Sequence, residues 1–363
     1  MRQGQSNDWK KIQKNRAPAP DSPMQYAPKG HPEIKKRKVG VLLINLGTPD
    51  ATDYWSMRRY LKEFLSDERV IEANRIVWWF ILNVIILTKR PFSSGEAYKS
   101  IWNKEKDESP LKTITRSQAD KIKKELAHDD IIVDWGMRYG NPSTQSRIEA
   151  LQEQGCDRIL LFPLYPQYAA ATSATACDKA FDALKSMRWQ PSVRIVPPYF
   201  ENPDYIEAVA NSIQDHIAEL EWSPEVVIAS FHGLPQRYFD AGDPYHCQCA
   251  KTTRLLREHL RWSEDKLRLT FQSRFGKEEW LQPYTDETIE KLAKDGVKKL
   301  AVVCPGFAAD CVETLEEIAI EAGDIFKENG GEEFTLIPCL NDSLDSVRVL
   351  SAIIKSELAG WVD

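Results

Sequence analysis

The amino-acid sequence predicts an α/β protein made of two similar, doubly wound parallel-sheet domains, and three observations lead to this prediction. Continuously apolar stretches of strand length alternate with stretches whose apolar residues recur at helical spacing. Four strand-like segments in the first half are echoed, in the same order, by four in the second half. The length of 363 residues also exceeds what a single hydrophobic core usually holds.

The first two pairs of echoing segments end in turn signals. "VGVLLINLGTP" at 39–49 resembles "EVVIASFHGLP" at 225–235, because each apolar strand runs into Gly-x-Pro. "IIVDWGMRYG" at 131–140 resembles "LRLTFQSRFG" at 267–276, because Arg-aromatic-Gly follows each strand. We expect the members of each pair to occupy equivalent places in the two sheets.

The last two pairs continue the same order. "GCDRILLFPLY" at 155–165 resembles "GVKKLAVVCPGF" at 296–307, and both close an apolar strand with proline. "VRIVPPYFENPDYIEAV" at 193–209 resembles "FTLIPCLNDSLDSVRVL" at 334–350. Each similarity is weak alone, but their shared order favours an internal repeat.

The repeat predicts the domain boundaries. We expect a flexible polar tail over 1–38, a first domain over 39–215, and a second domain over 216–363 whose last helix packs back on the first. In doubly wound sheets, ligands bind beyond the carboxyl ends of the strands. Two facing domains would therefore form one cleft, with His232 of "SFHGLP" at its wall.

Composition excludes several classes of protein. A hydrophobic content of 42% and a charged content of 28% are ordinary for a globular protein. The formal net charge of −6 argues against nucleic-acid binding. Seven cysteines without a C-x-x-C motif favour a reducing compartment, and residues 1–38 contain no apolar core of a secretory signal. We therefore expect a cytoplasmic protein.

One apolar segment suggests contact with a membrane. "IVWWFILNVIIL", Ile76–Leu87, precedes Lys89 and Arg90 and is shorter than the roughly 20 residues of a membrane span. Tryptophans and basic flanks are typical of a segment that lies in the membrane interface, whereas a buried core helix would explain the apolar residues equally well. The first alternative predicts a lip over 76–92 that places the protein at the inner membrane surface.

A second informative stretch is "VVCPGFAADCVETLEEIAIEAG", 302–323, where a helix is predicted to begin near 308–310. On that helix Asp310, Glu313, Glu317 and Glu321 follow one another at i, i+3, i+7 and i+11, along one face. Such a stripe is often only a solvated face. At the mouth of a cleft, however, a column of carboxylates would suit a divalent metal held by exchangeable oxygen ligands.

Nine motifs together identify a family. They are "GVLLINLGTPD", "YLKEFLSD", "MRYGNP", "LFPLYPQY", "SFHGLP", "GDPYHCQC", "FQSRFG", "WLQPYTDET" and "CPGFAADCVETLEE", over 39–321. In this combination the sequence resembles the ferrochelatases, which insert ferrous iron into a porphyrin to make haem. The resemblance implies two Rossmann-like domains (the chelatase fold), protoporphyrin IX and Fe²⁺ as substrates, protohaem and two protons as products, and no required cofactor.

The resemblance also assigns the site residues. The family's histidine falls on His232 and its catalytic glutamate on Glu313, with Glu317 and Glu321 as further metal-handling acids in a helix that carries a π-type irregularity. The implied substrate contacts are Leu46, Arg138, Tyr139, Trp280 and Phe307, and, in the lip region, Arg90, Tyr98 and Ser109. Arg138 could instead form a salt bridge between the two domains. A neutral imidazole can accept a pyrrole proton or hold iron, and the sequence leaves both roles open for His232.

Two departures from the family pattern concern cysteine. Many members have histidine where this chain has Cys311, and a thiol is a softer ligand and a weaker base near neutrality. Some members bind a [2Fe–2S] cluster through four cysteines. The C-terminal cysteines of that group are missing from "SELAGWVD", and Cys247 and Cys249 of "HCQC" would need Cys156 and Cys339 as partners. We therefore expect no cluster.

Two alternative functions remain at this point. A chelatase for coproporphyrin, or for a cobalt or nickel tetrapyrrole, would keep the histidine and the acids but differ at the propionate contacts. A carrier that binds a tetrapyrrole or a metal without turnover would not depend on His232 and Glu313 for its measured function.

Overall fold

The strands of the computed structural model form parallel sheets, as the repeat predicts. The structure describes Gly30 and residues 35–362, so most of the predicted tail over 1–38 lies outside the described residues. Within the described part, eight strands form two four-stranded sheets. The predicted fold class is therefore confirmed. Residues Lys38–Asp363 form one compact unit, and the boundary between 215 and 216 stays a prediction.

The first sheet has the strand order β2-β1-β3-β4. Its strands are β1 (Lys38–Thr48), β2 (Ile131–Gly140), β3 (Cys156–Pro163) and β4 (Ser192–Ile195). All neighbours pair in parallel. Helices cover the sheet, and the structure gives them as α1 (Tyr54–Leu65), α2 (Arg75–Phe80), a π-helix (Ile81–Ile86), α3 (Leu87–Ile101), α4 (Pro110–Leu126), α5 (Thr144–Glu153), a π-helix (Ala170–Ala174), α6 (Thr175–Ser186) and α7 (Pro203–Glu219).

The second sheet repeats this order as β6-β5-β7-β8. Its strands are β5 (Val226–His232), β6 (Leu267–Gln272), β7 (Lys299–Val303) and β8 (Glu333–Ile337). Its helices are α8 (Gln236–Asp240), α9 (Tyr245–Leu260), α10 (Thr285–Lys294), α11 (Val312–Leu315), a π-helix (Glu317–Ala322), α12 (Gly323–Glu328) and α13 (Leu344–Glu357). Each of the four echoing sequence pairs thus occupies equivalent strands, and the internal repeat is a structural one.

The carboxyl end of β1 shows why its turn signal is needed. Gly47 adopts a φ of +117°, and a Cβ there would lie 1.8 Å from the carbonyl oxygen of Tyr139 on β2. Only glycine allows both the positive φ and this close approach. The neighbouring Leu46 is thereby held at the end of the strand, where this architecture places ligands.

The apolar lip belongs to a continuous helical run, Arg75–Ile101, of 27 residues, in which an 18-residue window has a mean hydropathy of 1.3. By length and composition this run could cross a membrane, which the shorter apolar stretch in the sequence did not suggest. Its second half packs on the protein through Leu87, Pro91, Gly95 and Tyr98. Its first half is exposed, so the alternative of a buried core helix is wrong.

The last helix, α13, and the loop before it contact the first half of the chain. Gln118 of α4 donates to the Asn341 carbonyl at 2.7 Å, and Lys121 pairs with Asp342 at 2.6 Å. Arg194 of β4 donates to the Glu357 carbonyl at 2.7 Å. These contacts join both sheets into the unit that carries the site.

Candidate active site

His232 is the last residue of β5, and the strand delivers it to the carboxyl edge of the second sheet. Its side chain is half-buried. The Nδ1 atom lies 2.6 Å from the Gly233 carbonyl oxygen, which can only accept a hydrogen bond. Nδ1 therefore carries the proton, and the Nε2 lone pair remains to accept a proton or to bind a metal.

Two polar residues, Gln272 and Ser273, lie at the end of the neighbouring strand β6, next to His232. Gln272 pairs with His232 in the sheet register, and its carbonyl accepts from the Gly233 N–H at 2.7 Å. The next residue, Ser273, has a φ of +65°, a left-handed conformation that is uncommon for serine. Such conformations concentrate at functional sites.

The acids lie on the helical segment 312–328, which we call the acid helix. It begins at Val312 with Cys311 as N-cap, later than the predicted start near 308–310. Asp310 therefore precedes the helix and does not continue the stripe. Its carboxylate accepts from Thr314 at 2.9 Å and from Asn341 at 2.6 Å, so both oxygens are used in structural hydrogen bonds. Its predicted role as a metal ligand has no support in this geometry.

The acid helix widens into a π-helix at Glu317–Ala322, in agreement with the irregularity that the resemblance implied. The N–H of Glu321 donates to the Glu316 carbonyl, five residues earlier, at 3.0 Å. Glu313 and Glu317 are half-buried, whereas Glu321 is exposed. The three glutamates therefore form a column that leads from the site to the surface.

Glu317 lies next to Ser273 and within electrostatic reach of His232 and Glu313. The Ser273 N–H donates to Oε1 at 2.6 Å and the Ser273 hydroxyl to Oε2 at 2.5 Å. Burial raises the pKa of Glu317, the hydrogen bonds from Ser273 and the nearby His232 side chain lower it, and the negative charge of Glu313 raises it. The net pKa is above that of free glutamate because desolvation dominates.

Glu313 faces the first half of the chain. Its negative charge adds to burial in raising the pKa values of Tyr60, Tyr98 and Cys311. Both phenols and the thiol are therefore protonated near neutrality, so that they act as donors rather than as bases. Tyr98, a predicted substrate contact, thus lies at the site, and the thiol of Cys311 lies beside Glu313.

Leu46 and Phe307 close this side of the site. Both pack on the buried cluster of Leu111, Ala309 and Cys311. The structure therefore brings together one predicted contact from each half of the chain.

On the other side, Trp280 lies behind the turn that follows His232. A Cβ on Gly233 would be 3.2 Å from the Trp280 ring, which is buried with its indole N–H unpartnered. Phe275 packs on Trp280 with ring centroids 4.9 Å apart, and the Arg90 guanidinium lies 5.9 Å from the Phe275 ring centroid. The lip and the loop after β6 thus meet over this turn.

Three predicted substrate contacts are engaged elsewhere. Arg138 forms a buried salt bridge with Asp67 and donates to Thr175 at 2.6 Å, so it is a salt-bridge residue, but its partner lies in the same predicted domain and not in the other one. Tyr139 is fully buried and donates to Asp67 at 2.8 Å. Ser109 is buried as the N-cap of α4. Contact between these three and a substrate stays a prediction.

Two cavities accompany these residues. Arg138 lies in an open groove of about 460 Å³. Phe307 lines a cavity of about 20 Å³, together with Cys304 and Cys339, which is large enough for a water molecule but not for a macrocycle.

Gln272, Ser273 and Tyr60 were not predicted as site residues. The motif "FQSRFG" contains the first two, but it served only to mark the repeat and the family resemblance. Two polar residues at the carboxyl end of an apolar strand, where this architecture places ligands, are the signal that could have identified Gln272 and Ser273.

The cysteines do not fit a cluster. Cys156 begins β3 in the first sheet, Cys249 is buried in α9, and Cys247 is exposed. Among the residues that the structure describes, no group of three or more His, Cys, Asp or Glu side chains is arranged to hold a metal ion. The cysteine donors that a [2Fe–2S] cluster needs do not converge, and whether a cofactor is required stays a prediction.

Comparisons with known proteins first define the class of fold. SirB from Bacillus subtilis, in a structure with Fe³⁺, matches with a TM-score of 0.54 at 13% identity, over 89% of this chain and 97% of that one. DR2241 from Deinococcus radiodurans, a multi-domain protein described as structurally similar to chelatases, matches with a TM-score of 0.51 at 11% identity, over 87% of this chain and 54% of that one. The fold is that of the chelatases.

Sequence comparison then gives the family. The family model Ferrochelatase matches residues 38–358. Ferrochelatase of Allorhizobium ampelinum is 62% identical over 340 residues, which cover 93% of this chain and 99% of that protein. Ferrochelatase of Agrobacterium fabrum is 60% identical over 336 residues, 92% of this chain and 98% of that protein. The chain belongs to the ferrochelatase family.

Proposed function

We infer that the protein inserts Fe²⁺ into protoporphyrin IX to give protohaem, with release of two protons. The observation that carries this conclusion is the arrangement of His232 beside Glu317 and Glu313, with Leu46, Tyr98 and Trp280 around them, in a chain of this family. An imidazole and a column of acids are the two components that metal insertion requires.

The imidazole would take the protons. A free-base porphyrin carries two N–H protons that must leave before the metal enters. His232 holds its own proton on Nδ1 against the Gly233 carbonyl, so Nε2 is free to accept one from a pyrrole. Leu46 and Phe307, which are only half-buried, offer apolar surface for the ring, and a pocket shaped for a bent macrocycle would expose the nitrogen lone pairs.

The column of glutamates would carry charge between the site and the solvent. Carboxylate oxygens bind divalent cations reversibly, and Glu321 is exposed while Glu317 and Glu313 lie further in. The raised pKa of Glu317 also allows this carboxyl group to take up a proton near neutrality more readily than free glutamate does. Iron entry and proton exit can therefore share this route.

An anaerobic assay of the purified protein tests the reaction. With Fe²⁺, protoporphyrin IX should be converted to protohaem faster than coproporphyrin is metallated, and the change in visible absorption follows both. Faster insertion into coproporphyrin, or insertion of Co²⁺ or Ni²⁺ but not Fe²⁺, would support the alternative chelatase. Binding without turnover would support the carrier.

We also propose that the apolar lip binds a membrane surface at the cytoplasmic side. Several large apolar side chains are exposed there, more than a monomer usually leaves in one patch. They are Trp55, Ile76, Val77, Trp79, Phe80, Ile81, Val84, Ile85 and Phe92. Lys89 and Arg90 are exposed at the end of this surface and complement anionic lipids.

Liposome flotation tests the membrane proposal. Trp79→Glu and Ile85→Glu should abolish association with anionic liposomes, because both side chains are more than half exposed. Trp78 is a poor choice, because its indole donates to the Leu65 carbonyl at 2.7 Å. Phe181→Glu, at an exposed apolar position on α6, is the control. Equal flotation of all variants would contradict the proposal.

We further propose that the reaction needs no cluster, since no three cysteine, histidine or acidic side chains among the described residues are arranged to hold a metal ion. The purified protein should show no visible absorption until porphyrin is added. Charge-transfer bands that disappear on reduction would contradict this.

A further inference from the structure

The end of β6 makes more contacts with the catalytic region than its sequence suggested. Gln272 is 3% exposed, and its side-chain amide donates to the Glu313 carbonyl at 2.7 Å and to Glu317 at 3.4 Å. Its own carbonyl accepts from the N–H of Gly233 at 2.7 Å. One residue therefore touches both the turn that follows His232 and the acid helix.

The orientation of the Gln272 side-chain amide is fixed by buried hydroxyl groups. Its Oε1 accepts from the Ser230 hydroxyl at 2.7 Å, and Ser230 is in turn 2.9 Å from the Thr285 hydroxyl. Thr285 is 2.8 Å from the Thr270 hydroxyl. All of these side chains are buried. A fully paired buried network of this kind holds one geometry, because any rotation leaves a polar group without a partner.

Ser273 is also fixed in position, although its backbone adopts an unfavourable conformation. Its left-handed φ of +65° aims both the N–H and the hydroxyl at the Glu317 carboxylate. The next residue, Arg274, pairs instead with Asp286 at 2.9 Å and with Glu287 at 2.8 Å, and these side chains are partly exposed.

We propose that Gln272 and Ser273 are positioning residues, which hold the two glutamates of the acid helix in register with the imidazole. This inference rests on the proposed iron insertion. Such support is relevant because Glu317 begins the π-helix, where a bond over five residues replaces the regular α-helical pattern. Ser273 acts through Glu317, and Gln272 acts mainly through the backbone of Glu313.

The variant Ser273→Gly isolates the hydroxyl. Glycine accepts the positive φ and keeps the N–H bond, so the fold and the thermal midpoint should be retained. We expect roughly a tenfold loss in kcat/KM for Fe²⁺, the size expected for one hydrogen bond to a charged group. The dissociation constant of protoporphyrin IX for this variant, measured by fluorescence quenching, should change by less than about twofold. Ser273→Asn should be more active than Ser273→Gly, because asparagine tolerates this φ and offers a hydrogen-bond donor.

A double-mutant cycle with Glu317→Gln separates positioning from a general structural effect. If Ser273 acts through Glu317, adding Ser273→Gly to the Glu317→Gln enzyme should change the remaining activity by less than about twofold. Gln272→Met should lower kcat without weakening porphyrin binding, and Arg274→Gln, which leaves Glu317 untouched, should remain within about twofold of the wild type.

The outcomes are distinct. An inactive wild-type enzyme in the same assay would overturn the proposed function itself. If the wild type is active, three results would overturn only the positioning role. The Ser273→Gly variant could keep full activity, or it could lose porphyrin affinity to the same extent as activity. The activity losses of Ser273→Gly and Glu317→Gln could also multiply in the double mutant.

Discussion

The buried ion pair of Arg138 and Asp67 offers a sharp test, because the family resemblance assigns Arg138 to the substrate whereas the structure pairs it within the protein. We consider Arg138→Met, which keeps the length of the side chain and removes its charge. The Asp67 side chain is 8% exposed and would remain as a buried carboxylate without a cation. Thr175 and Tyr139 would still donate to it.

Breaking a buried pair from one side costs about 3 to 5 kcal/mol, and the three donors that remain, which include the Arg69 N–H, place this case near 3 kcal/mol. For a compact unit of this size the unfolding entropy converts that loss into a fall of about 4 °C in the thermal midpoint. Differential scanning calorimetry at neutral pH measures it. The KM for protoporphyrin IX should remain within about twofold of the wild-type value.

The pH dependence provides an independent check. Burial alone would raise the pKa of Asp67, but hydrogen bonds from Thr175, from the Arg69 N–H and from Tyr139, and the charge of Arg138, together leave it below the usual value. A carboxylate with a depressed folded-state pKa stabilises the fold above its unfolded pKa and loses this contribution as pH falls through the folded pKa. The stability difference between wild type and Arg138→Met should therefore shrink below about pH 4.

The reasoning would be refuted by an Arg138→Met enzyme with an unchanged thermal midpoint and a KM for porphyrin raised tenfold or more. That pattern would indicate that Arg138 contacts the substrate.

Two further predictions concern the strand end and the thiols. Gly47→Ala should lower the free energy of unfolding by roughly 3 kcal/mol or more, because the new Cβ would meet the Tyr139 carbonyl. Gly296→Ala, also at positive φ but with nothing within 4 Å, should lower it by only about 1 to 2 kcal/mol. Equal losses of stability on thermal unfolding would contradict this prediction. In the folded protein a maleimide should label the exposed Cys247 first. Burial should protect Cys249 and Cys304, because it hides both thiols and raises their pKa values. Rapid labelling of Cys249 or Cys304, detected by mass spectrometry, would contradict the described packing.

The fold was predictable because its signals are local and repeated. Apolar strands that end in Gly-x-Pro appear twice, and the close approach of Gly47 to β2 explains why the first of these turns needs glycine. The equivalent strand order of the two sheets agrees with the same repeat. The start of the acid helix was misplaced, because Cys311 is the N-cap and the preceding Asp310 is held by Thr314 and by Asn341, which lies 31 residues later in the chain.

The site was only partly predictable. His232 and Glu313 could be placed from strand ends and the family motif. Ser273 could not, because its importance arises from a left-handed backbone and a carboxylate 44 residues later in the chain, and neither is visible in composition or spacing. The exposure of the apolar lip also required coordinates, since a short apolar run fits a core helix equally well.

The most direct test of the account is iron insertion by His232→Ala under anaerobic conditions. Protohaem formation should fall by about 10² or more, because the pyrrole protons lose their acceptor, while protoporphyrin IX still binds with nearly wild-type affinity. Protohaem formation within twofold of the wild-type rate would contradict the central claim that this imidazole, opposite the glutamates, makes the metal insertion possible.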